Sequence, residues 1–252
     1  MDRPGPGGPL TWRTVTITGL RPETHNAKTL VLDVPGWPGH VAGQHVDIRL
    51  TAEDGYQAER SYSIASAPES RDLELTVERL DDGEVSPYLV DDTGPGDQFE
   101  LRGPIGGWFV WHEGLAGPLV LVGGGSGLVP LMAMLRHRRA VRAHGDARLL
   151  LSARTIDDVL YRDELDMLRD TAVAIHITLT RGGEPAGWDG WTRRIDREML
   201  AAVGPEPGAG ARFYVCGPTP FVEEAARLLV ALAHEPASIR TERFGPTGGR
   251  DG

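Results

Sequence analysis

The chain has 252 residues, of which 40% are hydrophobic and 25% charged, a composition typical of globular proteins rather than disordered or fibrous ones. Its formal net charge of -10 argues against general nucleic-acid binding, which needs clustered Lys and Arg. Cys216 is the only cysteine, which excludes an intrachain disulfide and any zinc or iron–sulfur site built from cysteines of this chain.

The N-terminal residues 1–10 are rich in Pro and Gly and predict a flexible tail. No apolar run follows Arg3, so the sequence does not predict a signal peptide, and no segment approaches the roughly 18 apolar residues of a membrane span. We therefore expect a cytoplasmic protein. His40 and His45 lie five residues apart without a His-x-x-x-His pattern, and we predict no protein-bound metal.

Short strand-like segments separated by Gly/Pro turns dominate the chain from Trp12 to about Trp111. Strict alternation of apolar and polar residues is clearest over 46–50 and 73–78, where the apolar residues share one face. Short strands with such turns predict a small antiparallel β-barrel or sandwich, of which we favour the barrel. The predicted strands are 14–17, 29–32, 46–50, 73–78 and 99–101.

After Gly117 the pattern changes to alternating strands and helices. The continuous apolar run 119–122 is typical of a strand buried on both faces of a parallel sheet. Further strands are predicted at 148–151, 174–179, 212–215 and 238–242, and helices at 128–142, 157–169, 196–203 and 221–233. This alternation predicts an α/β doubly wound parallel sheet. We place the boundary in 112–117 and predict domains at 11–114 and 115–252.

Gly123–Gly127, with sequence Gly-Gly-Gly-Ser-Gly, lies between a predicted buried strand and a predicted helix that has Pro130 in its first turn. Glycines allow close backbone approach, and a helix N-terminus favours phosphate, so the segment is a candidate dinucleotide-binding turn. Tight packing alone is the alternative interpretation. The segment lacks the Lys-Ser/Thr of a P-loop, and Leu128 replaces the last glycine of a nucleophile elbow.

Arg60-Ser61-Tyr62-Ser63 lies at the end of a predicted barrel strand, where Arg60 and Tyr62 share one face. A guanidinium, a flat aromatic ring and a hydroxyl suit a phosphorylated aromatic ligand. A solvated arginine beside a core tyrosine is the alternative interpretation of this tetrapeptide.

Four motifs occur in a characteristic order along the chain. They are Arg60-x-Tyr62-Ser63, Gly103-Pro104-Ile105-Gly106, Gly124-Gly125-Ser126-Gly127-x-x-Pro130 and Cys216-Gly217-Pro218, with Phe244 near the end. This succession, from about Trp12 to Gly248, resembles the ferredoxin–NADP reductase superfamily, and most closely its small bacterial members that lack a fused ferredoxin domain.

The resemblance implies flavin contacts in the first domain. Arg60 would pair with the flavin phosphate, Tyr62 would lie against the isoalloxazine, and Ser63 would hydrogen-bond near flavin N5. Val77 and Arg79 would line the dinucleotide portion. Ser86 as the cap, with Pro87 in the first turn, predicts a helix start. By resemblance this helix end and Gly83 would receive a pyrophosphate, which favours FAD over FMN.

The resemblance also implies nicotinamide contacts in the second domain. Gly124, Gly125, Ser126 and Gly127, with Pro130, would cradle the dinucleotide, although Val129 stands where relatives often have Thr. Cys216, followed by Gly217 and Pro218, would lie near nicotinamide C4; the alternative interpretation is a small buried apolar residue. Phe244 would shield the flavin face, and Glu242 would assist protonation.

The residues after the second parallel strand favour NADPH over NADH. An acidic residue there would bind a free ribose 2′-hydroxyl, whereas this chain has Ser152 and Arg154, which suit a 2′-phosphate. Arg181 and Arg194 are further candidates by resemblance, although Arg193 departs from the small residue usual before that arginine. Thr155 and Asp158 fit a capping box, a purely structural role.

The implied function is a flavoprotein reductase that moves a hydride from nicotinamide C4 to flavin N5 and passes electrons to a separate acceptor. The acceptor would be a ferredoxin or an oxygenase component, and the reductase a monomer or homodimer. One alternative is a stand-alone diaphorase or flavin reductase, and another is a non-catalytic nucleotide-binding regulatory subunit.

Overall fold

The computed structural model describes residues 10–169 and 173–245, so the predicted tail lies outside the described residues except for Leu10. The chain divides into two compact units. The first contains residues up to Glu113 together with Met132–Arg142, and the second contains Gly114–Leu131 and the residues from Ala143 onward. A single domain boundary, such as the one predicted within 112–117, cannot assign residues 132–142 to the first unit.

The first unit is built on a six-stranded antiparallel sheet with strand order β4-β3-β6-β1-β2-β5. Ile64, directly after β4, bridges Leu75 in β5, which brings together the two edges of the sheet, as in a barrel. The strands are β1 Arg13–Thr24, β2 Ala27–Asp33, β3 His45–Thr51, β4 Gln57–Ser63, β5 Leu73–Glu78 and β6 Gln98–Ile105.

The core of the first unit follows from the period-two pattern of its strands. Val46 and Ile48 of β3 and Leu73, Leu75 and Val77 of β5 are all buried, because alternate side chains point to the inner face of the sheet. A short π-helical turn, Tyr88–Asp92, adds two buried apolar side chains to the core. The predicted antiparallel architecture is confirmed.

The second unit is a five-stranded parallel sheet with order β11-β10-β7-β8-β9. Its strands are β7 Leu119–Gly124, β8 Ala147–Ala153, β9 Val173–Leu179, β10 Arg212–Pro218 and β11 Ile239–Phe244. The chain moves outward from β7 to β8 and β9, then returns to β10 on the other side of β7. Ligands of such sheets bind at the carboxyl ends of the strands where the order reverses, here between β7 and β10.

The helices of the chain are α1 Leu128–Ala140, α2 Arg162–Arg169, α3 Arg197–Val203 and α4 Thr219–Ala231. The prediction of one helix over 157–169 is wrong. A 3₁₀ turn, Ile156–Asp158, begins with the predicted capping box, and the chain then leaves helical geometry before α2, with Tyr161 at φ +54°. None of the helices in the described residues is long and apolar enough to cross a membrane.

Candidate cofactor-binding site

Arg60 in β4 presents its guanidinium to solvent and to a carboxylate. Its side chain is 51% exposed, and Nη2 donates to Oε2 of Glu84 at 2.8 Å while Nη1 donates to the carbonyl of Glu59 at 2.7 Å. Glu84 lies in the segment Gly83-Glu84-Val85-Ser86, so the structure joins two segments that sequence analysis linked only by resemblance. The carboxylate shows that an anion fits this guanidinium.

Tyr62 and Ser63 end β4 beside Arg60. Tyr62 is half-buried and packs against the core of the first unit. Burial raises the pKa of its phenol, an effect that the nearby positive charge of Arg60 only partly opposes, so the ring stays neutral. Ser63, also partly buried, pairs with His45 across the sheet. A neutral flat ring next to a cation fits the predicted flavin-binding face.

The structure restricts how Val77 in β5 and Arg79 just after it could contact a ligand. The side chain of Val77 is fully buried in the core, so only its backbone could contact a ligand. Arg79 is engaged, because its Nε donates to Asp91 at 2.7 Å and its Nη1 to Asp81. These hydrogen bonds raise the pKa of the Arg79 guanidinium. A phosphate at Arg79 would have to compete with two aspartates.

Gly83 and Ser86 form a tight turn rather than the predicted cap. The Oγ of Ser86 accepts a hydrogen bond from the backbone N–H of Leu80 at 3.1 Å, and the helical turn has no side-chain cap. A Cβ at Gly83 would lie 2.9 Å from that Oγ and 3.1 Å from the Leu80 carbonyl oxygen, so a larger residue would crowd the turn. The prediction that Ser86 caps the helix is therefore wrong, and a role in pyrophosphate binding stays a prediction.

Beside this turn lies an open cavity of about 730 Å³, with Glu84, Tyr56 and Tyr88 in its wall. Arg60, Tyr62 and Ser63 do not line it. Tyr56 donates its hydroxyl to Oε1 of Glu84 at 2.9 Å, and this hydrogen bond raises the pKa of the phenol. Sequence analysis missed both Tyr56 and Glu84, because nothing in a surface Tyr or Glu indicates such a contact.

In the second unit, the glycine-rich turn meets the Cys216-Gly217 segment. Strand β7 pairs with β10, with Gly123 opposite Cys216. A Cβ at Gly127 would lie 2.2 Å from the Cys216 carbonyl oxygen, and one at Gly124 would lie 2.9 Å from the Phe221 ring. Glycine at 124 and 127 thus allows two backbone segments and a ring to pack without a gap, as the packing interpretation proposed.

Gly125 and Ser126 differ from these packed glycines. A Cβ at Gly125 would meet no atom within 4 Å, and its φ of +55° lies in the left-handed region that favours glycine. Ser126 is partly buried, and its hydroxyl has no partner among the described residues. A 3₁₀ turn, Gly125–Gly127, leads directly into α1. The packing interpretation therefore holds at Gly124 and Gly127, whereas Gly125 leaves open space, where dinucleotide binding stays a prediction.

Cys216 is buried beneath this turn. Burial, and secondarily the charge of Glu242 on the adjacent strand, raises the pKa of its thiol well above the ordinary range. Cys216 is therefore a neutral thiol rather than a thiolate nucleophile. Phe244 ends β11 with a partly exposed ring and pairs with Pro218.

Thr219, the first residue of α4, is a candidate site residue that the sequence motifs do not include. Its Oγ1 is buried and is the only such side-chain oxygen or nitrogen in the described part of the chain without a hydrogen-bond partner. A buried hydroxyl without a partner is unfavourable, and such groups occur where a ligand completes the hydrogen bond. The hydroxyl directly follows Pro218, at the predicted nicotinamide-binding segment.

Arg154 and Arg181, two of the arginines predicted to bind a 2′-phosphate, lie just after the ends of β8 and β9. Backbone N–H groups of Thr180 and Arg181 donate to the Arg154 carbonyl, which holds the two strand ends together. Arg194 follows a segment that runs beside β9, where Trp191 hydrogen-bonds to Ile177 and Leu179. The exposed side chains of Arg154, Arg181 and Arg194 have no ion-pair or hydrogen-bond partner among residues 10–169 and 173–245. Partly buried Ser152 precedes them.

Arg193, which precedes the predicted nucleotide contact Arg194, is engaged in ion pairs. Its guanidinium pairs with Asp196 at 2.6 Å and with Glu198 at 2.7 Å, which leaves only its carbonyl toward β9 as an acceptor for Thr178. Within the described residues, no group of three or more His, Cys, Asp or Glu side chains is arranged to hold a metal ion.

Comparison with known proteins agrees with this geometry. The model of the oxidoreductase FAD-binding domain matches residues 15–110, and that of the oxidoreductase NAD-binding domain matches residues 121–227. A glycine betaine monooxygenase reductase subunit from Pseudomonas aeruginosa is 30% identical over 208 residues, which are 81% of this chain and 56% of the relative. The chain thus spans little more than half the length of that relative.

Two solved structures share the fold. A cytochrome P450 reductase from Amycolatopsis has a TM-score of 0.81 at 25% identity, over 94% of this chain and 71% of that one. A ferredoxin NADP+ reductase from Neisseria gonorrhoeae, solved with FAD and NADP, has a TM-score of 0.80 at 21% identity, over 92% and 98%. With both domain models matched in order, this chain belongs to the FAD- and NAD-binding oxidoreductases of the ferredoxin–NADP reductase fold.

Proposed function

We propose that the chain is the reductase of an electron-transfer system, taking hydride from NADPH through FAD and delivering electrons to a separate oxygenase component or ferredoxin. The observation that carries the proposal is the contact between the glycine-rich turn and Cys216-Gly217 at the switch point of the parallel sheet. Bound FAD supplies the redox chemistry, accepting a hydride and releasing electrons to the acceptor.

The residues of the first unit fit a phosphorylated flavin. Arg60 supplies an exposed guanidinium that already holds a carboxylate, and Tyr62 supplies a neutral aromatic face. Ser63 supplies a hydroxyl in the next position. In this role Arg60 neutralises the phosphate charge while Tyr62 orients the ring system and excludes water from one side of it.

The residues of the second unit fit a phosphorylated nicotinamide dinucleotide. Gly125 leaves open space at the start of a helix, and the unpartnered hydroxyls of Ser126 and Thr219 are available to donate hydrogen bonds. Arg154 and Arg181, with no carboxylate partner among the described residues, favour the 2′-phosphate of NADPH over the free hydroxyl of NADH.

Buried, neutral Cys216 has a positioning role in this proposal. A small apolar side chain there shapes the floor of the nicotinamide site and keeps water from it, while Glu242 and Phe244 on the next strand border it. No thiolate chemistry is required, since the thiol pKa is raised.

The choice of acceptor follows relatives. The P. aeruginosa relative is named as a monooxygenase reductase subunit, and the Amycolatopsis structure as a cytochrome P450 reductase. The single cysteine of these 252 residues cannot supply the ligands of a four-cysteine iron–sulfur cluster, and we propose a separate protein as the electron acceptor. We propose a monomer or homodimer in the cytoplasm, with size-exclusion chromatography and cell fractionation as checks.

An anaerobic absorbance titration of the FAD-reconstituted protein with NADPH, and separately with NADH, tests the proposal. We expect the flavin band at about 450 nm to bleach at a lower concentration of NADPH than of NADH. Arg60→Ala should bind FAD more weakly, whereas Arg21→Ala, which removes a similarly exposed arginine from the same unit, should not. A flavin that stays oxidised with both nucleotides would instead support the regulatory subunit, and fast turnover with free flavin alone would support the diaphorase.

A further inference from the structure

The Glu84 carboxylate is paired with the guanidinium of Arg60, the group that the proposed function assigns to the flavin phosphate. Its two carboxylate oxygens are both engaged, Oε2 by Arg60 at 2.8 Å and Oε1 by the hydroxyl of Tyr56 at 2.9 Å. Among the described residues, Glu84 is the carboxylate that pairs with Arg60. The ion pair is long-range in sequence, since 24 residues separate its partners, so the folded structure and not a local turn creates it.

A carboxylate and a phosphate use the same donors of a guanidinium. A planar carboxylate and a tetrahedral phosphate can each accept guanidinium N–H bonds through two oxygens, so a phosphate that binds Arg60 Nη2 displaces Glu84 from it. Binding a phosphorylated flavin therefore requires Glu84 to release Arg60.

The Glu84 side chain is held in place by a hydrogen bond and borders an open cavity. The hydroxyl of Tyr56 holds the second oxygen, which orients the carboxylate toward Arg60. Both side chains also line the open cavity of about 730 Å³ beside the turn, which leaves room for the carboxylate once Arg60 is taken by another anion. The half-exposed pair, at 51% and 50%, is weak enough to be exchanged.

We propose that Glu84 is a built-in competitor for the flavin phosphate, held on Arg60 by Tyr56, that weakens FAD binding and sets how readily the flavin exchanges. This inference rests on the proposed role of Arg60. It predicts that the effect of Glu84 depends on the phosphate groups of the ligand, because a flavin without phosphate does not compete for the guanidinium.

Fluorescence titrations of the apoprotein with FAD and with riboflavin test the proposal. Glu84→Gln should tighten FAD binding by about two- to fivefold and leave riboflavin binding unchanged, the range expected for loss of a competing half-exposed ion pair. Glu59→Gln is the matched control. It removes the same charge one residue from Arg60, but the Glu59 carboxylate faces Arg49 and Arg102, and only its backbone carbonyl contacts Arg60.

A double-mutant cycle separates competition from a general charge effect. In an Arg60→Ala background, Glu84→Gln should give no gain in FAD affinity, because the shared guanidinium is absent. Equal tightening for FAD and riboflavin, tightening that persists without Arg60, or an equal gain in Glu59→Gln would each overturn the proposal. Thermal unfolding of each apoprotein confirms that the exposed substitutions leave the fold intact.

The outcomes also distinguish this proposal from the proposed function. If wild-type protein prefers FAD to riboflavin and Glu84→Gln changes nothing, Arg60 keeps its role and the competitor is refuted. If wild type shows no preference and Glu84→Gln creates one, the competitor is supported and is stronger than expected. If neither protein prefers FAD, Arg60 does not hold the phosphate and both proposals fail.

Discussion

Glycines of the turn Gly123–Gly127 have two different roles, close packing at Gly127 and open space at Gly125, and substitution by alanine can measure each one separately. A Cβ at Gly127 would lie 2.2 Å from the Cys216 oxygen, 2.5 Å from its carbonyl carbon and 2.7 Å from the Gly217 nitrogen, whereas ordinary contacts begin at 3.4 Å. Two backbone segments would have to move apart by about 1 Å. Since backbone cannot adjust as a flexible side chain does, we expect Gly127→Ala to lower the free energy of unfolding by about 3 kcal/mol.

Gly125→Ala should behave differently because space is open there. The substitution places alanine in the left-handed region, at φ +55°, which costs about 1–2 kcal/mol, but no atom lies within 4 Å of the new methyl. The methyl would instead project into the space assigned to the dinucleotide. We expect a moderate loss of stability together with about a tenfold loss of NADP+ affinity.

Urea unfolding and NADP+ titration by calorimetry provide the two readouts. Asp196→Ala is a control of matched stability, because it removes an N-cap whose carboxylate accepts from the Met199 N–H at 2.9 Å, at a cost of about 1 kcal/mol. It should leave NADP+ affinity unchanged. Gly127→Ala with wild-type stability would refute the packing argument, and Gly125→Ala with wild-type affinity would refute the assignment of the open space to nucleotide.

Three further outcomes are expected. Arg154→Ala should weaken NADPH binding about tenfold and leave NADH binding unchanged in parallel titrations; an equal effect on both would exclude a 2′-phosphate contact. Cys216 should resist iodoacetamide in the folded protein at about pH 8 and react after unfolding, as followed by mass spectrometry, because burial raises its thiol pKa; rapid labelling of the native protein would contradict this. Thr219→Val should raise the free energy of unfolding by about 1 kcal/mol in urea, since it removes a buried hydroxyl without a partner, and a decrease would mean that the hydroxyl is hydrogen-bonded.

Periodicity along the chain was sufficient to predict both sheets, because the signal is local. Alternation over 73–78 and the continuous apolar run of 119–122 reflect burial on one face and on two faces, and each can be counted within six residues. The capping box of Thr155 and Asp158 is equally local. The predicted helix over 157–169 was wrong because apolar spacing does not reveal the break at Tyr161, which depends on a left-handed backbone conformation.

Only the tertiary structure decided which side chains of the motifs are available to a ligand. Sequence could not show that Val77 is committed to the core, that Arg79 is paired with aspartates, or that Glu84 reaches Arg60 across 24 residues. Such contacts depend on which strands become neighbours, and strand order is a long-range property. The motif order therefore predicted the family correctly and gave each site a predicted location. The division of one glycine turn into packed and open positions required three-dimensional contacts, which local patterns do not encode.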